Sequence, residues 1–258
     1  MDKRKRYILV LDTETANTIT CEDGTVDMSN VLVYDCGWQV VDKRGTVYES
    51  ASYVNRDIFE GEKDLMTSAY YAWKIPRYME DIANGSRKVA TTYEIRRYLL
   101  DVIDRWNITA VAAHNARFDY NALNTTERYI TKSKYRYFLP FGIEIWDTMK
   151  CANSVICNMP TYRKFCEEHG YITPSGRLRK TAEILWRFIS RNDDFIESHT
   201  ALEDVEIEAQ ILAYCFKQHK TMEKDLFPPK ETIENTPFQI ALMRSLKMTP
   251  TINMGALI

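Results

Sequence analysis

Two acidic residues follow a short apolar run near the start of the chain. The run from Ile8 to Leu11 leads directly into Asp12, Thr13 and Glu14. Successive side chains of a strand point to opposite faces, so Asp12 and Glu14 are expected on one face at the end of a buried strand. Carboxylates this close repel each other unless a cation compensates them, and their hard oxygen atoms suit Mg2+. The alternative is a strand that ends in a solvated acidic turn, which an isolated pair of acids would favour.

A second acidic position follows another predicted strand. The segment TAVAAHN, residues 109–115, has the pattern of a short buried strand, and Asp119 lies one helical turn after its end. Taken alone, Asp119 could equally be an exposed acid on a helix. His114 is more typical of a structural hydrogen-bonding residue than of a metal ligand.

A histidine and a further acid lie at the start of the last long helical pattern. Thr200 is followed three residues later by Glu203, which is the spacing of a capping box and places Thr200 at the N-cap of a helix. His199 then lies on the loop before the helix, and Asp204 lies in its first turn. A loop histidine is most often a surface residue, but in this position it is also free to move toward a nearby site.

Taken together, the three segments resemble the exonuclease motifs of the DEDD superfamily of 3′-5′ exonucleases. The last motif, H-x-x-x-x-D, is that of the histidine (DEDDh) subgroup, which includes polymerase proofreading subunits, RNase T and oligoribonuclease. The matching residues lie between positions 7 and 214: Asp12 and Glu14 in LDTET, Asp119 in AHNARFD, and His199 with Asp204 in HTALED. The order, the spacing and the strand or helix setting of these motifs carry the resemblance.

The resemblance implies a fold and a reaction. The fold is α/β, with a ribonuclease-H-like mixed five-stranded sheet flanked by helices. The acids Asp12, Glu14, Asp119 and Asp204 would hold two divalent metal ions, Mg2+ with Mn2+ also accepted, and His199 would be the general base for the attacking water. The implied enzyme hydrolyses phosphodiester bonds at the 3′ end of single-stranded DNA or RNA and releases nucleoside 5′-monophosphates.

The resemblance also predicts residues that line the substrate pocket. They follow the first motif or belong to the second, and they are Thr15, Ala16, Asn17, Asn115 and Phe118. For Phe118, packing in the core is an equally good interpretation, because aromatic residues beside a catalytic acid often pack there. Asp147 has the position of an N-cap after a strand, so we leave it out of the predicted metal site.

The chain departs from the family after its third predicted strand. Many relatives carry a short G-I-T-like element there, whereas this chain has MTSAYYAWKIPRYMEDIANG, residues 66–85. Tyr70, Tyr71 and Trp73 are expected either to stack on unpaired bases or to form the core of a local helical insertion, and we favour the core. The basic clusters at 132–138 and 176–180 could follow a phosphate backbone or belong to solvated faces.

The order of strand and helix patterns predicts a mixed sheet covered by helices. Segments 31–42 and 45–55, separated by a turn, are rich in β-branched and aromatic residues, so with the first strand they predict three antiparallel neighbours. Residues 62–106 are expected to be mostly helical, with a break near Gly85. The later expected elements are a helix capped by Thr91 and Glu94, the strand at 109–115, a helix at 116–129, a strand ending at Asp147, and helices up to 201–219.

We expect one catalytic domain, residues 1–224, and a C-terminal extension, residues 225–258. The extension is predicted to pack on the domain or on a protein partner such as a polymerase. The opening apolar run is too short for a signal peptide or a membrane span, so no membrane association and a cytoplasmic location are expected.

The composition is that of a globular protein without an overall basic field. Of the 258 residues, 45% are hydrophobic and 27% are charged, and 34 Lys and Arg against 36 Asp and Glu give a formal net charge of −2. A nucleic acid would therefore have to be held locally. The six cysteines form no C-x-x-C pair, which indicates reduced thiols.

The competing prediction is a non-catalytic adaptor that binds nucleic acid or protein with the same fold. Loss of one or more motif acids would indicate an adaptor. All five motif positions are occupied by the expected residue types, so the sequence favours the enzyme.

Overall fold

The computed structural model of the protein describes residues 6–17, 19–20, 26–27, 29–67, 69 and 72–227. The strands of this part are β1 (Ile8–Ala16), β2 (Ile19–Thr20), β3 (Val26–Asp27), β4 (Leu32–Val41), β5 (Val47–Asn55), β6 (Lys88–Ala90), β7 (Ala110–Ala113) and β8 (Glu144–Asp147). The helices are α1 (Arg56–Phe59), α2 (Lys63–Met66), α3 (Ile75–Ala83), α4 (Thr92–Arg105), α5 (Arg117–Thr131), α6 (Thr148–Val155), α7 (Pro160–Glu168), α8 (Ala182–Ser190) and α9 (Ala201–Lys217). A short 3₁₀ turn, Ala72–Lys74, precedes α3.

In the described part of the chain, six strands form one mixed sheet in the order β6-β5-β4-β1-β7-β8. The strands β1, β4 and β5 are antiparallel neighbours, as predicted, and β7 and β8 continue the sheet in parallel. The predicted α/β class with a mixed sheet flanked by helices is thus confirmed, with six strands in place of five. The additional strand, β6, pairs in parallel with β5. Its three residues are too few to show a period-two pattern within a segment predicted as helical.

Helices cover both faces of the sheet, because the alternating side chains of the central strand β1 are apolar on both sides. Leu9 and Leu11 belong to a core cluster with residues of α4 and α5. Ile8 and Val10 belong to a second cluster with residues of α6, α8 and α9. The end of β1 therefore lies between α5 on one face and α9 on the other.

Gly37 on β4 allows α9 to lie directly against the sheet. A Cβ atom added to Gly37 would lie 2.7 Å from backbone atoms of Ala201 and Leu202, at the start of α9. Gly37 is also the residue of β4 that pairs with Asp12 of β1. The absence of a side chain at this position thus brings the first turn of α9 beside the end of β1.

Two predicted helix starts differ in their capping. The capping box of Thr91 and Glu94 is confirmed, with reciprocal side-chain to backbone hydrogen bonds. Thr200 is the N-cap of α9, as predicted, but its hydroxyl donates to the carboxylate of Glu203 at 3.0 Å and makes no capping bond to the backbone. The predicted capping box is therefore wrong at this helix, although the predicted start is right.

The C-terminal boundary region contacts the edge strand β8. Asp225 forms a bridge with Trp146, and the amide of Leu226 donates to the carbonyl of Ile145 at 2.8 Å. The chain divides into units 1–226 and 227–258. Residues 228–258, most of the predicted extension, lie outside the described residues, so its packing stays a prediction.

Two further observations concern the cysteines and the lengths of the helices. The cysteines in the described part of the chain, which exclude Cys21, carry free thiols, as predicted: Cys36, Cys151, Cys157, Cys166 and Cys215. Within the same residues, every helix is too short or too polar to cross a bilayer.

Candidate active site

Acidic side chains from two distant segments meet at the end of β1. Asp12 and Glu14 project from β1 on the side of α9, and Asp204 lies in the first turn of α9. One carboxylate oxygen from each of these three residues lies within 4.8 Å of the other two. The structure therefore brings together residues that are about 190 positions apart in the chain.

Asp119 is joined to the same strand end from the other face of the sheet. It lies in the first turn of α5 and is 2% exposed. Thr13, which alternates with Asp12 and Glu14 along β1, donates its hydroxyl to Oδ1 of Asp119 at 2.8 Å. Burial and the charges of Glu208 and Asp119 raise the pKa of Asp12 well above its usual range, which places these three carboxyl groups in one electrostatic cluster.

Glu208 is a fifth acid of this cluster that the sequence analysis missed. It lies one turn after Asp204 on α9 and is 3% exposed. One of its oxygen atoms accepts a hydrogen bond from the amide of His114 at 3.1 Å. The sequence did contain a signal, because Asp204 and Glu208 have the i,i+4 spacing that puts both on one face of a helix.

The carboxyl groups of the cluster have pKa values well above those of ordinary Asp and Glu side chains. Burial and the charge of Asp204 raise the pKa of Glu14 to about 9, and burial and the charge of Glu197 raise that of Asp204 to about 8. Burial raises the pKa of Asp119 to about 7, although the hydrogen bond from Thr13 acts in the opposite direction. A cation at this position would favour the ionised forms.

The donor set fits a hard divalent cation. Oδ2 of Asp119 and Oδ1 of Asp204 are buried and have no hydrogen-bond partner among the residues that the structure describes. Buried polar atoms normally have a partner, so each leaves a position that a metal ion could fill. Carboxylate oxygens are the ligands that Mg2+ and Mn2+ prefer, and Asp12 and Glu14 supply more of them beside Asp204.

His199 lies at the edge of the acidic cluster, on the loop before α9. A ring nitrogen of His199 and carboxylate oxygens of Glu197 and Asp204 lie within 4.8 Å of one another. Nδ1 of His199 is 3.7 Å from Oε2 of Glu197, and the His199 side chain is 32% exposed. Burial and the charge of Lys74 lower the pKa of His199, which favours the neutral imidazole that a general base requires.

Lys74 is a second residue that the sequence analysis missed. It is 4% exposed, and its ammonium donates to the backbone carbonyl of Ser198 and, at 2.8 Å, to that of His199. Burial lowers the pKa of Lys74, while the charges of Glu14 and Asp204 act in the opposite direction. No motif includes Lys74 and no local spacing marks it, so the sequence gives no signal for this contact, which joins residues 124 positions apart.

Trp73, the residue before Lys74, does not lie where it was predicted. Trp73 is 74% exposed, so its assignment to the core of a local insertion is wrong. The apolar residues of the following helix α3, such as Tyr78, do fill that core, and this leaves the Trp73 side chain outside. Tyr70 and Tyr71 lie outside the described residues.

Asp35 forms a buried ion pair on β4 beside the acidic cluster. It pairs with Glu14 across β4 and β1, is fully buried, and accepts hydrogen bonds from Tyr78 at 2.7 Å and Arg87 at 3.0 Å. Burial raises the pKa of Asp35, while the charge of Arg87 and the hydrogen bond from Tyr78 act in the opposite direction. This buried ion pair therefore links β4 to α3 and to the loop before β6 beside the acidic cluster.

The residues after the first motif that are predicted to line a substrate pocket differ in burial and in their contacts. Thr15 is buried, and Ala16 is fully buried in the core cluster beneath α1 to α3. Asn17 has a left-handed backbone and donates its side-chain amide to the carbonyl of Asn30 at 3.0 Å.

The second-motif residues predicted for that pocket lie near the start of α5. Asn115 is exposed, and its backbone N–H donates to Oδ1 of Asp147 at 3.2 Å. Phe118 is half-buried and packs on the main core cluster, in line with the alternative interpretation for this residue. Asn115 thus offers a side chain to a ligand more readily than Phe118 does.

Two neighbouring residues have the structural roles predicted for them. Both ring nitrogens of His114 are hydrogen-bonded, to the Thr148 hydroxyl and to the Lys180 carbonyl, each at 2.9 Å. Asp147 is the N-cap of α6 and accepts a hydrogen bond from the amide of Met149 at 2.9 Å.

The basic cluster at 132–138 exposes the rings of Tyr135 and Tyr137, and a role for it in binding stays a prediction.

Comparisons with known proteins give no family assignment. No family model matches the chain, and no curated protein sequence matches it. Solved structures with partial similarity include E. coli exonuclease I in complex with a dT13 oligonucleotide, at 11% identity and a TM-score of 0.47 over 83% of this chain. They also include S. pombe Pop2p in a Mg2+- and Mn2+-bound form, at 12% identity and a TM-score of 0.45 over 82% of this chain and 83% of that one.

A third structure of this kind is cell-death related nuclease 4, at 11% identity and a TM-score of 0.41 over 83% of this chain and 64% of that one. The chain spans 42% of the length of exonuclease I. At these TM-scores the comparisons add no argument about the activity, which has to rest on the site itself.

Proposed function

We propose that the protein is a metal-dependent 3′-5′ exonuclease of the DEDDh type that acts on single-stranded DNA or RNA. The observation that carries the proposal is the convergence of Asp12, Glu14 and Asp204 within 4.8 Å. Asp119 adjoins them, and one of its buried oxygens has no hydrogen-bond partner among the described residues. His199 lies beside Asp204. These are the residue types that metal-assisted phosphodiester hydrolysis requires.

The four motif acids would hold two divalent ions, Mg2+ or Mn2+. When bound, the ions would stabilise the charge that develops on the attacking and leaving oxygens of the phosphodiester. Asp12, Glu14 and Asp204 supply ligands from one side and Asp119 from the other. Binding would displace the protons that burial keeps on these carboxyl groups.

His199 would act as the general base. Its pKa is lowered, so the imidazole is neutral near neutral pH and can accept a proton from the attacking water. An oxygen of Glu197 lies 3.7 Å from Nδ1 of His199, where the ionised carboxylate would favour the imidazolium once it forms. The loop position of His199 leaves the ring partly exposed, so it is accessible to a bound substrate.

The substrate assignment rests on the family resemblance. The terminal nucleotide would contact the segment Thr15, Ala16 and Asn17 through backbone groups, and Asn115 and Phe118 from the second motif, and hydrolysis would release a nucleoside 5′-monophosphate. A cytoplasmic location, and a polymerase or other protein partner for residues 225–258, remain predictions.

A cleavage assay tests this proposal. A 5′-labelled single-stranded oligonucleotide is incubated with Mg2+ or Mn2+, with and without chelator, using wild type and Asp12→Ala. Asp101→Ala, a change of an exposed acid on α4, is the matched control. We expect metal-dependent shortening from the 3′ end by wild type and Asp101→Ala, and none by Asp12→Ala.

Matched DNA and RNA substrates in the same assay determine the sugar preference. Binding of the oligonucleotide without cleavage under any metal would instead favour the non-catalytic adaptor and overturn the proposal.

A further inference from the structure

The chain holds the loop of the proposed general base with a buried lysine from outside the three motifs. Lys74 is the last residue of the 3₁₀ turn and the N-cap of α3. Its ammonium donates to the carbonyl oxygens of two consecutive residues, Ser198 and His199. These bonds fix the peptide planes on both sides of the His199 Cα atom, so they determine where its side chain starts.

The backbone of His199 needs such support. Its φ angle of 54° lies in the left-handed region, which residues other than glycine occupy at an energetic cost. Conformations of this kind persist where surrounding contacts hold them. Lys74 supplies two of these contacts directly at the residue concerned.

The surroundings of the ammonium explain why a lysine is tolerated at a buried position. The charges of Glu14, Asp204 and Glu203 favour its charged form, while Arg77 opposes it. The ring of Trp73, whose centroid lies 5.3 Å from the Lys74 ammonium, adds a cation–π contact from the exposed side. The ammonium is therefore attracted to the acidic cluster and bonded to the His199 loop at the same time.

We propose that Lys74 is a positioning residue, which clamps the carbonyls of Ser198 and His199 and so keeps the His199 imidazole beside Asp204. The proposal rests on the proposed exonuclease function, because it gives Lys74 an effect on the step that His199 performs. Loss of the clamp lets the imidazole leave its position, so it lowers kcat. The nucleic acid is held by other residues, so KM changes little.

The test compares two variants. Lys74→Met has a side chain of similar length but no hydrogen-bond donor, whereas Lys74→Arg keeps donors for both carbonyls. Lys63→Met, a change of an exposed lysine on α2, is the matched control. Two quantities are measured: kcat and KM on a single-stranded oligonucleotide, and amide hydrogen exchange of the segment 196–200 in the metal-free proteins.

We expect Lys74→Met to lower kcat by about 10- to 100-fold with KM nearly unchanged, as a small misplacement of a catalytic group does. Exchange at 196–200 should become faster, while exchange in β1 and β4 stays as in wild type. Lys74→Arg should recover part of the lost kcat, and Lys63→Met should behave as wild type in both measurements.

Wild-type kcat or unchanged exchange at 196–200 in Lys74→Met would overturn the proposal. If Lys74→Met does not fold, Lys74→Arg decides: retained kcat supports the clamp, and a loss of kcat with normal folding contradicts it. If wild type degrades no oligonucleotide, the proposed function fails, whereas the exchange measurement still tests the clamp by itself.

Discussion

The hydroxyl of Thr13 donates a hydrogen bond of 2.8 Å to Oδ1 of Asp119, which lies 106 residues later in the chain. Thr13 is placed between Asp12 and Glu14 on β1 but points to the opposite face, because strand side chains alternate. One strand end thus supplies two acids toward α9 and orients a third on α5. The second oxygen of Asp119 is buried and has no hydrogen-bond partner in the described part of the chain, so it is available to a cation.

Replacing Thr13 with Val should weaken metal binding without removing a ligand. Asp119 would lose the bond that fixes its orientation, and loss of such supporting contacts typically costs about 10- to 100-fold in metal affinity or activity. The measurement is the Mn2+ concentration that gives half-maximal cleavage, with the exposed Thr109→Val as control. An unchanged midpoint in Thr13→Val would show that this hydrogen bond does not support the site.

Replacing His199 with Ala should slow cleavage while leaving the metal site intact. Removal of a general base costs about 10²- to 10⁴-fold in rate. The acids Asp12, Glu14 and Asp204 stay in place, so Mn2+ affinity measured by titration should change little. Turnover near that of wild type would mean that another group removes the proton.

Replacing Gly37 with Val should damage both stability and the site. The new side chain would meet backbone atoms of Ala201 and Leu202, which cannot move independently of α9. Overpacking of this kind costs about 1–3 kcal/mol, measured as the free energy of unfolding in denaturant. Because the first turn of α9 carries Asp204, cleavage should also fall in protein that is still folded. Normal cleavage by Gly37→Val would contradict the role given to this close approach.

The metal-free protein should lose stability as the pH rises. The unfolded chain releases the protons of Asp119, Asp204 and Glu14 near their ordinary values of 3.8 to 4.5, whereas the folded protein releases them at about 7, about 8 and about 9. Between these values the folded state binds more protons. The contribution of these groups to the free energy of unfolding is therefore complete below their pKa values in the unfolded chain. It is lost as the pH rises through their pKa values in the folded protein.

Denaturant unfolding at several pH values in the presence of chelator checks this sign. The free energy of unfolding should fall from about pH 5 to about pH 9, and Mg2+ should reduce the fall by replacing the protons. Glu14→Gln removes one titrating group, so its decline should be smaller. A free energy of unfolding that rises over this range in wild type would contradict the protonated cluster.

The part of the site that could be predicted follows from local patterns. Asp12 and Glu14 are placed by strand alternation, and Asp204 by the start of a helix with a clear N-cap. Glu208 was equally accessible, since the i,i+4 spacing from Asp204 was present, but the residue belongs to no motif. The predicted order of strands and helices is also confirmed in the described part of the chain, apart from the short strands β2, β3 and β6 and the short helix α1.

The rest could not be predicted because it depends on contacts between distant segments. Lys74 gains its role from Ser198 and His199. Asp35 gains its role from Tyr78 and Arg87. Nothing in the local sequence of Lys74 or Asp35 distinguishes them from ordinary surface charges. Trp73 shows the opposite error, an apolar residue in a helical segment that the tertiary fold leaves exposed.

The central claim is that carboxylates from β1 and α9 form one metal site, and Mn2+ titration followed by electron paramagnetic resonance tests it most directly. The proteins are wild type, Asp12→Asn, Asp204→Asn and the exposed control Asp101→Asn. We predict tight binding by wild type and the control, and a marked loss of affinity in both Asp12→Asn and Asp204→Asn. Absence of Mn2+ binding by wild type, or unchanged affinity in both site variants, would contradict the account.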